Sequence, residues 1–170
     1  IDEDLAAAPA PPELCNGQDD DCDSRIDEGN ACPCRQRTFQ NRIYLLCGAE
    51  VNGNPDAFDE RLPWPAAKQR CEDLGFSLVS IETPEEDRFV FDSLSAEGFE
   101  DTWLGLNDRS VEGTFVWNDG DVLTYSNWDG GEPNNGAGGE DCGIMVMSRG
   151  RASRWDDRPC DRAYHYVCEP

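Results

Sequence analysis

Histidine is almost absent from this chain, His165 being the single one among 170 residues, and no apolar run approaches the roughly 20 residues that cross a bilayer. Membrane insertion is therefore not expected. Positive charge is also scarce: 14 Lys and Arg stand against 36 Asp and Glu, a formal charge of −22. Such a surface repels phosphates and anionic headgroups, which argues against nucleic acid and acidic lipid as partners and makes divalent cations the natural counter-charge. The nine cysteines are scattered, with only Cys32 and Cys34 close together, so a thiolate or imidazole metal site is not expected either. Disulfides are the better use for them, and they imply an oxidising location, secreted or at a cell surface. Ile1 to Leu5 is acidic where a signal peptide would be basic, so the chain reads as a processed or excised segment.

Three zones follow from composition. Residues 1–12 contain Ala-Ala-Pro-Ala-Pro-Pro and read as a stiff linker. Residues 13–32 hold almost no large apolar side chains beyond Leu14 and Ile26, so only a metal or disulfides could order them. Residues 33–170 have the composition of a globular domain.

Within that domain a helix is expected from about Pro65 to Leu74, with Gly75 placed to take the left-handed conformation at its end. Thr83-Pro84-Glu85-Glu86 supplies an N-cap, a proline at the first helical position and the glutamate of a capping box. Phe89, Val90 and Leu94 then carry a second helix to about Ser95. After Gly98 short apolar stretches read as strands: Trp103 to Leu106, Thr114 to Trp117, Ile144 to Met147 and Tyr164 to Val167. The segment Asn118 to Gly139 is glycine-rich yet carries Tyr125 and Trp128, the mark of a folded functional loop. Helices followed by strands indicate an α+β domain.

Glu132-Pro133-Asn134-Asn135, Glu140-Asp141-Cys142 and Trp155-Asp156-Asp157 are rich in oxygen ligands. Ca²⁺ takes about six to eight oxygens from carboxylates, amide and backbone carbonyls and water, which these segments offer if the loop folds them together. The competing reading is a solvated acidic loop. Pro133 would fix Glu132 and Asn134 on one side of the loop, with a cis peptide bond as one way to do so.

These segments, together with Trp103-Leu104-Gly105-Leu106, Leu123-Thr124-Tyr125-Ser126-Asn127-Trp128 and Cys168, resemble the successive signatures of the C-type lectin-like domain, over about Cys34 to Cys168. The resemblance implies a disulfide-stapled α+β fold with two helices, antiparallel sheets and a long calcium-binding loop region. It implies disulfides Cys71 to Cys168, Cys142 to Cys160 and, as in the long form, Cys34 to Cys47.

The resemblance further implies a principal Ca²⁺ site formed by the side chains of Glu132, Asn134, Glu140, Asp156 and Asp157 and the Asp157 carbonyl. Glu132, Asn134, Glu140 and Asp156 would also meet the sugar. Glu-Pro-Asn in this position is associated with mannose, glucose and fucose type ligands, and Gln-Pro-Asp with galactose. The family usually has Asn where this chain has Asp156, and an ionised aspartate accepts but does not donate hydrogen bonds. The lost bond to a sugar hydroxyl would cost about 1.5 to 3 kcal/mol. An auxiliary Ca²⁺ site would use Asp108, Glu112, Asn135, Glu140 and Asp141, the alternative being that Asp108 and Glu112 are turn residues.

Asp19, Asp21, Asp23 and Asp27 alternate as carboxylates do around a calcium loop. The run from Cys15 to Gly29 resembles an acidic, cysteine-containing metal-binding repeat common in exported bacterial proteins, and its spacing is similar to thrombospondin type 3 loops. Ser24 replaces the usual glycine, and a disulfide-pinned acidic tether is the alternative. Cys15, Cys22 and Cys32 are odd in number, so one lacks a local partner.

The function expected is calcium-dependent carbohydrate binding by an exported protein. The rival is a protein-binding or adhesive domain of the same fold, in which calcium only shapes the loops. No enzyme is expected: Glu132 and Glu140 could in principle do glycosidase work, but calcium would engage them. His165, in a Tyr-His-Tyr stretch, reads as a packed strand residue. The tryptophans Trp103, Trp117, Trp128 and Trp155 read as anchors and not as a sugar platform.

Overall fold

The computed structural model describes residues 34–48, 61–136, 138–148 and 152–170. The chain divides into two units, Ile1–Cys32 and Pro33–Pro170, and the described residues belong to the second. Asp19, Asp21, Asp23 and Asp27, with Cys15, Cys22 and Cys32, lie outside them.

The elements run β1 (Cys34–Phe39), β2 (Arg42–Cys47), α1 (Trp64–Asp73), β3 (Ser77–Leu78), α2 (Pro84–Ala96), β4 (Thr102–Asn107), β5 (Cys142–Met145), β6 (Trp155–Arg158) and β7 (His165–Glu169). They form one sheet in the order β1-β2-β7-β4-β5-β6, with β3 also on β7. Every pairing is antiparallel except β4 with β7. The expected α+β fold with two helices is the one observed. The expected antiparallel sheets are here a single, antiparallel-rich sheet.

Local chemistry explains the elements. β1 and β2 turn through Gln40 and Asn41 at φ 48° and 65°, the left-handed pair that matches a two-residue hairpin to strand twist. Gly75 ends α1 at φ 78°. Thr83 caps α2 by accepting the Glu86 N–H at 3.2 Å. The second half of the expected capping box is displaced by one residue, because the Glu86 carboxylate accepts the N–H of Glu82 (3.0 Å) and the Tyr44 hydroxyl (2.5 Å). Arg35 and Arg37 of β1 both pair with Glu97 just beyond α2.

Two expected strands need correction. Thr114 to Trp117 forms no strand: Val116 alone bridges Asn107 and Val122, and the turns on both sides leave no room for a ladder. The strand expected at Ile144 to Met147 begins earlier, at Cys142, because its ladder follows β6 from Arg158 to Trp155. β6 itself was read only as a ligand segment.

The sheet separates two apolar clusters. One gathers Leu104, Leu106, Trp117, Trp155 and Val167 with the α2 residues Val90, Phe91 and Leu94; the other gathers Trp64, Ala67, Trp103, Ile144 and Tyr166. Among the described residues three disulfides lie in the second cluster: Cys34–Cys47, Cys71–Cys168 and Cys142–Cys160. His165 is buried, its Nδ1 accepting the Glu100 N–H at 3.2 Å and its ring edge-on to Phe99. No helix among the described residues is long and apolar enough to cross a membrane.

Candidate functional site

The loop after β4 is brought to β6 by backbone bonds. Trp155 N–H donates to the Asn127 carbonyl (2.9 Å), Asp129 N–H to that of Trp155 (2.8 Å), and Glu132 N–H to that of Asp129 (3.1 Å). Beneath them Asp87 of α2, buried at 3 % exposure, accepts from Asn127 Nδ2 (2.9 Å), Ser153 Oγ (2.8 Å) and Trp155 Nε1 (2.8 Å). Trp128 packs edge-on against Phe115 and Trp155, while Trp103, Trp117 and Trp155 are buried. These tryptophans are anchors.

Glu132 is thereby carried to the end of β6. Carboxylate oxygens of Glu132, Asp156 and Asp157 all lie within 4.8 Å of one another. The Glu132-Pro133 peptide is cis. Beyond it the loop folds on its own acids: Asp157 accepts the N–H groups of Asn134 (3.0 Å) and Asn135 (2.7 Å), and Glu140 accepts that of Gly136 (2.6 Å). A Cβ at Gly136 would meet Glu140 Oε2 at 2.4 Å and Asn134 Oδ1 at 3.1 Å, which places both side chains at one spot.

The electrostatics are those of a cluster of anions facing one cation, Arg158. Asp156 is fully buried, and neither of its oxygens nor Glu132 Oε2 has a hydrogen-bond partner. Arg158 Nη2 stands 2.5 Å from Asp156 Oδ2 as an ion pair without hydrogen-bond alignment. Burial first, then the charges of Asp156 and Asp157, push the Glu132 carboxyl above its usual range. Buried carboxylates with free lone pairs and no nitrogen or sulfur donor are a set suited to a hard cation, and the residues fit Ca²⁺.

The auxiliary set is less tightly gathered. Asp108 is buried, accepts the Gly113 N–H at 2.7 Å through one oxygen and leaves the other without a partner. Burial and then the nearby Asp141 and Asp157 raise its carboxyl, while the Gly113 bond opposes them. Asn135 spends its side-chain oxygen on the N–H groups of Gly139 (2.5 Å) and Glu140 (3.1 Å). Glu112 is exposed on the turn. Two charged residues around the site, Asp87 and Arg158, escaped the sequence reading, as did Asp101, which precedes β4 at its other end. Asp101 accepts the N–H groups of Met147 (2.9 Å) and Ser148 (3.3 Å). Asp87 had a signal, since it shares the helical stripe of Val90, Phe91 and Leu94, where a carboxylate needs buried partners.

Residues 60–170 match the family model of the lectin C-type domain. This chain belongs to the C-type lectin family. Its lectin domain is 39 % identical over 142 residues to the low affinity immunoglobulin epsilon Fc receptor of Mus musculus, covering 82 % of this chain and 37 % of the receptor. The Homo sapiens receptor gives 36 %, 82 % and 38 %. The chain thus spans less than two fifths of these relatives. Among solved structures, the cow CD23 carbohydrate-recognition domain, in the presence of GlcNAc2Man3 oligosaccharide, aligns with a TM-score of 0.65 at 33 % identity, covering 82 % of this chain and 95 % of its own. The human scavenger receptor C-type lectin domain aligns with a TM-score of 0.67 at 30 % identity, with 82 % and 98 % covered. C-type lectin domains typically bind Ca²⁺ and are generally not enzymes.

Proposed function

We propose that this C-type lectin domain binds carbohydrate of the mannose, glucose or fucose type through calcium. Glu132, Asn134, Glu140, Asp156 and Asp157, with the Asp157 carbonyl, would hold the ion. The observation that carries the reading is the convergence of Glu132, Asp156 and Asp157, with Glu132 Oε2 buried without a hydrogen-bond partner and Asp156 met by the ion pair with Arg158. Bound calcium would supply an electrophilic anchor for two adjacent sugar hydroxyls. Glu132 and Glu140 are acceptors for hydroxyl protons, the Asn134 amide is a donor, and Asp156 can only accept. The Glu-Pro-Asn sequence and the oligosaccharide present with the cow CD23 domain support a mannose-type ligand.

Asp108, Glu112, Asn135, Glu140 and Asp141 would form an auxiliary calcium site. Residues 1–12 would be a linker, 13–32 a calcium-stiffened spacer holding its ion through Asp19, Asp21, Asp23 and Asp27, and 33–170 the lectin domain. The disulfides favour a secreted or cell-surface protein.

A second reading, a calcium-shaped domain that recognises protein, is favoured by one observation: Asp156 is engaged by Arg158 and has no amide to offer a hydroxyl. Calorimetric titration with mannose, fucose and galactose, with calcium and after chelation, separates the two. Heat that needs calcium and is larger for mannose or fucose supports the lectin. Calcium binding without sugar heat, restored only in Asp156→Asn, supports the second reading.

A further inference from the structure

We propose that Arg158 sets the calcium affinity of the principal site, its guanidinium being a built-in cation that competes with Ca²⁺ for the same oxygens. The inference rests on the calcium reading above. Nη2 of Arg158 lies 2.5 Å from Asp156 Oδ2, and Nη1 lies 3.9 Å from Glu140 Oε1. Nη1 also donates to the Asp157 backbone carbonyl at 2.7 Å. All three oxygens belong to the set assigned to calcium.

The Arg158 side chain is 25 % exposed, whereas that of Asp156 is 1 % exposed, so the arginine forms the solvent-facing side of the pair. Its backbone is held in β6 opposite Cys142, whose disulfide partner Cys160 lies two positions further on. The guanidinium can therefore make way for another cation only by rotating its own side chain. Burial opposes its charge, but Asp156 and Glu140 more than compensate, and arginine stays protonated at every accessible pH. The competition is thus a permanent handicap on metal affinity and not a pH switch. It also rationalises Asp156: the extra carboxylate would strengthen calcium binding by itself, and Arg158 offsets that gain while holding the acid in place.

The test is calcium titration by calorimetry on the full chain, in wild type, Arg158→Gln and Arg158→Lys. The transition abolished by Glu132→Gln identifies this site among any others. Arg158→Gln should tighten that transition about tenfold or more, as removal of a close like charge requires, and should melt below wild type in chelator but not in saturating calcium. Arg158→Lys, which keeps the charge on a shorter donor set, should fall between the two and serves if the glutamine variant fails to fold. Unchanged or weaker calcium binding in both variants overturns the role of Arg158 while leaving the calcium reading intact. Absence of any Glu132-dependent transition in wild type and variants alike overturns both.

Discussion

At the scale of single residues, Glu169 shows how a buried charge is tolerated. Its Oε1 accepts the Ser80 N–H at 2.6 Å, its Oε2 has no hydrogen-bond partner, and Arg42 stands 3.8 Å away. Burial, reinforced by Glu86 and Glu82 against the Ser80 bond and Arg42, pushes its carboxyl from 4.5 up to about 7. The folded protein therefore binds the proton more tightly than the unfolded chain between those values. The resulting stabilisation is complete below about pH 4.5 and is lost as pH rises through about 7, a difference of about 3 kcal/mol. Glu169→Gln keeps the Ser80 bond and removes the charge. Melting in chelator should show the variant several degrees above wild type at pH 8 and level with it at pH 4.5. Equal curves at both pH values would mean that Glu169 is not the group responsible.

The elements were legible in proportion to how local their causes are. Both helices stand within a residue or so of expectation, because a proline at one end, a glycine at the other and Thr83 as N-cap are signals written in adjacent positions. Thr114 to Trp117 was misread because apolar alternation cannot tell a strand from a loop whose side chains plug a core. The ligand segments were found through the family resemblance, but the partnership of Arg158 with Asp156 depends on side-chain reach that no spacing reports. Gly105 belongs to a quoted motif, and only the fold gives its reason: a Cβ there would meet the Leu78 carbonyl at 2.9 Å and Asn118 Nδ2 at 2.3 Å. Asp87 makes α2 part of the site, because its carboxylate takes hydrogen bonds from Asn127, Ser153 and Trp155. Its charge and burial also lift the Tyr125 hydroxyl, burial first, up to about 12. Asp87→Ala would leave those donors unpaired and should cost about 3 kcal/mol in urea unfolding. It should also weaken calcium binding, since Trp155 directly precedes Asp156. Loss of stability with unchanged calcium affinity would confine Asp87 to a structural role.

For the whole molecule, the disulfides divide the labour between holding the fold and holding the site. Cys71–Cys168 joins α1 to β7, the strand that pairs with β2, β3 and β4, and closes 97 residues. Cys142–Cys160 closes 18 residues and ties down the end of β6, which lies at the edge of the sheet. Loop entropy assigns about 4 to 5 kcal/mol to the first and about 3 to the second. The larger difference is positional. An edge strand can shift without unravelling the sheet, whereas β7 cannot. Replacing Cys142 and Cys160 by serine should therefore leave a folded domain with a lower melting temperature and much weaker calcium binding, because Asp156, Asp157 and Arg158 all ride on β6. Replacing Cys71 and Cys168 should remove the cooperative melt at 37 °C or bring it close to that temperature, with calcium binding lost only as the fold is lost. If the Cys142 and Cys160 pair is removed and calcium affinity holds, the geometry of the site is secured by the loop's own bonds to Asp157 and Glu140, and the edge tether serves stability alone.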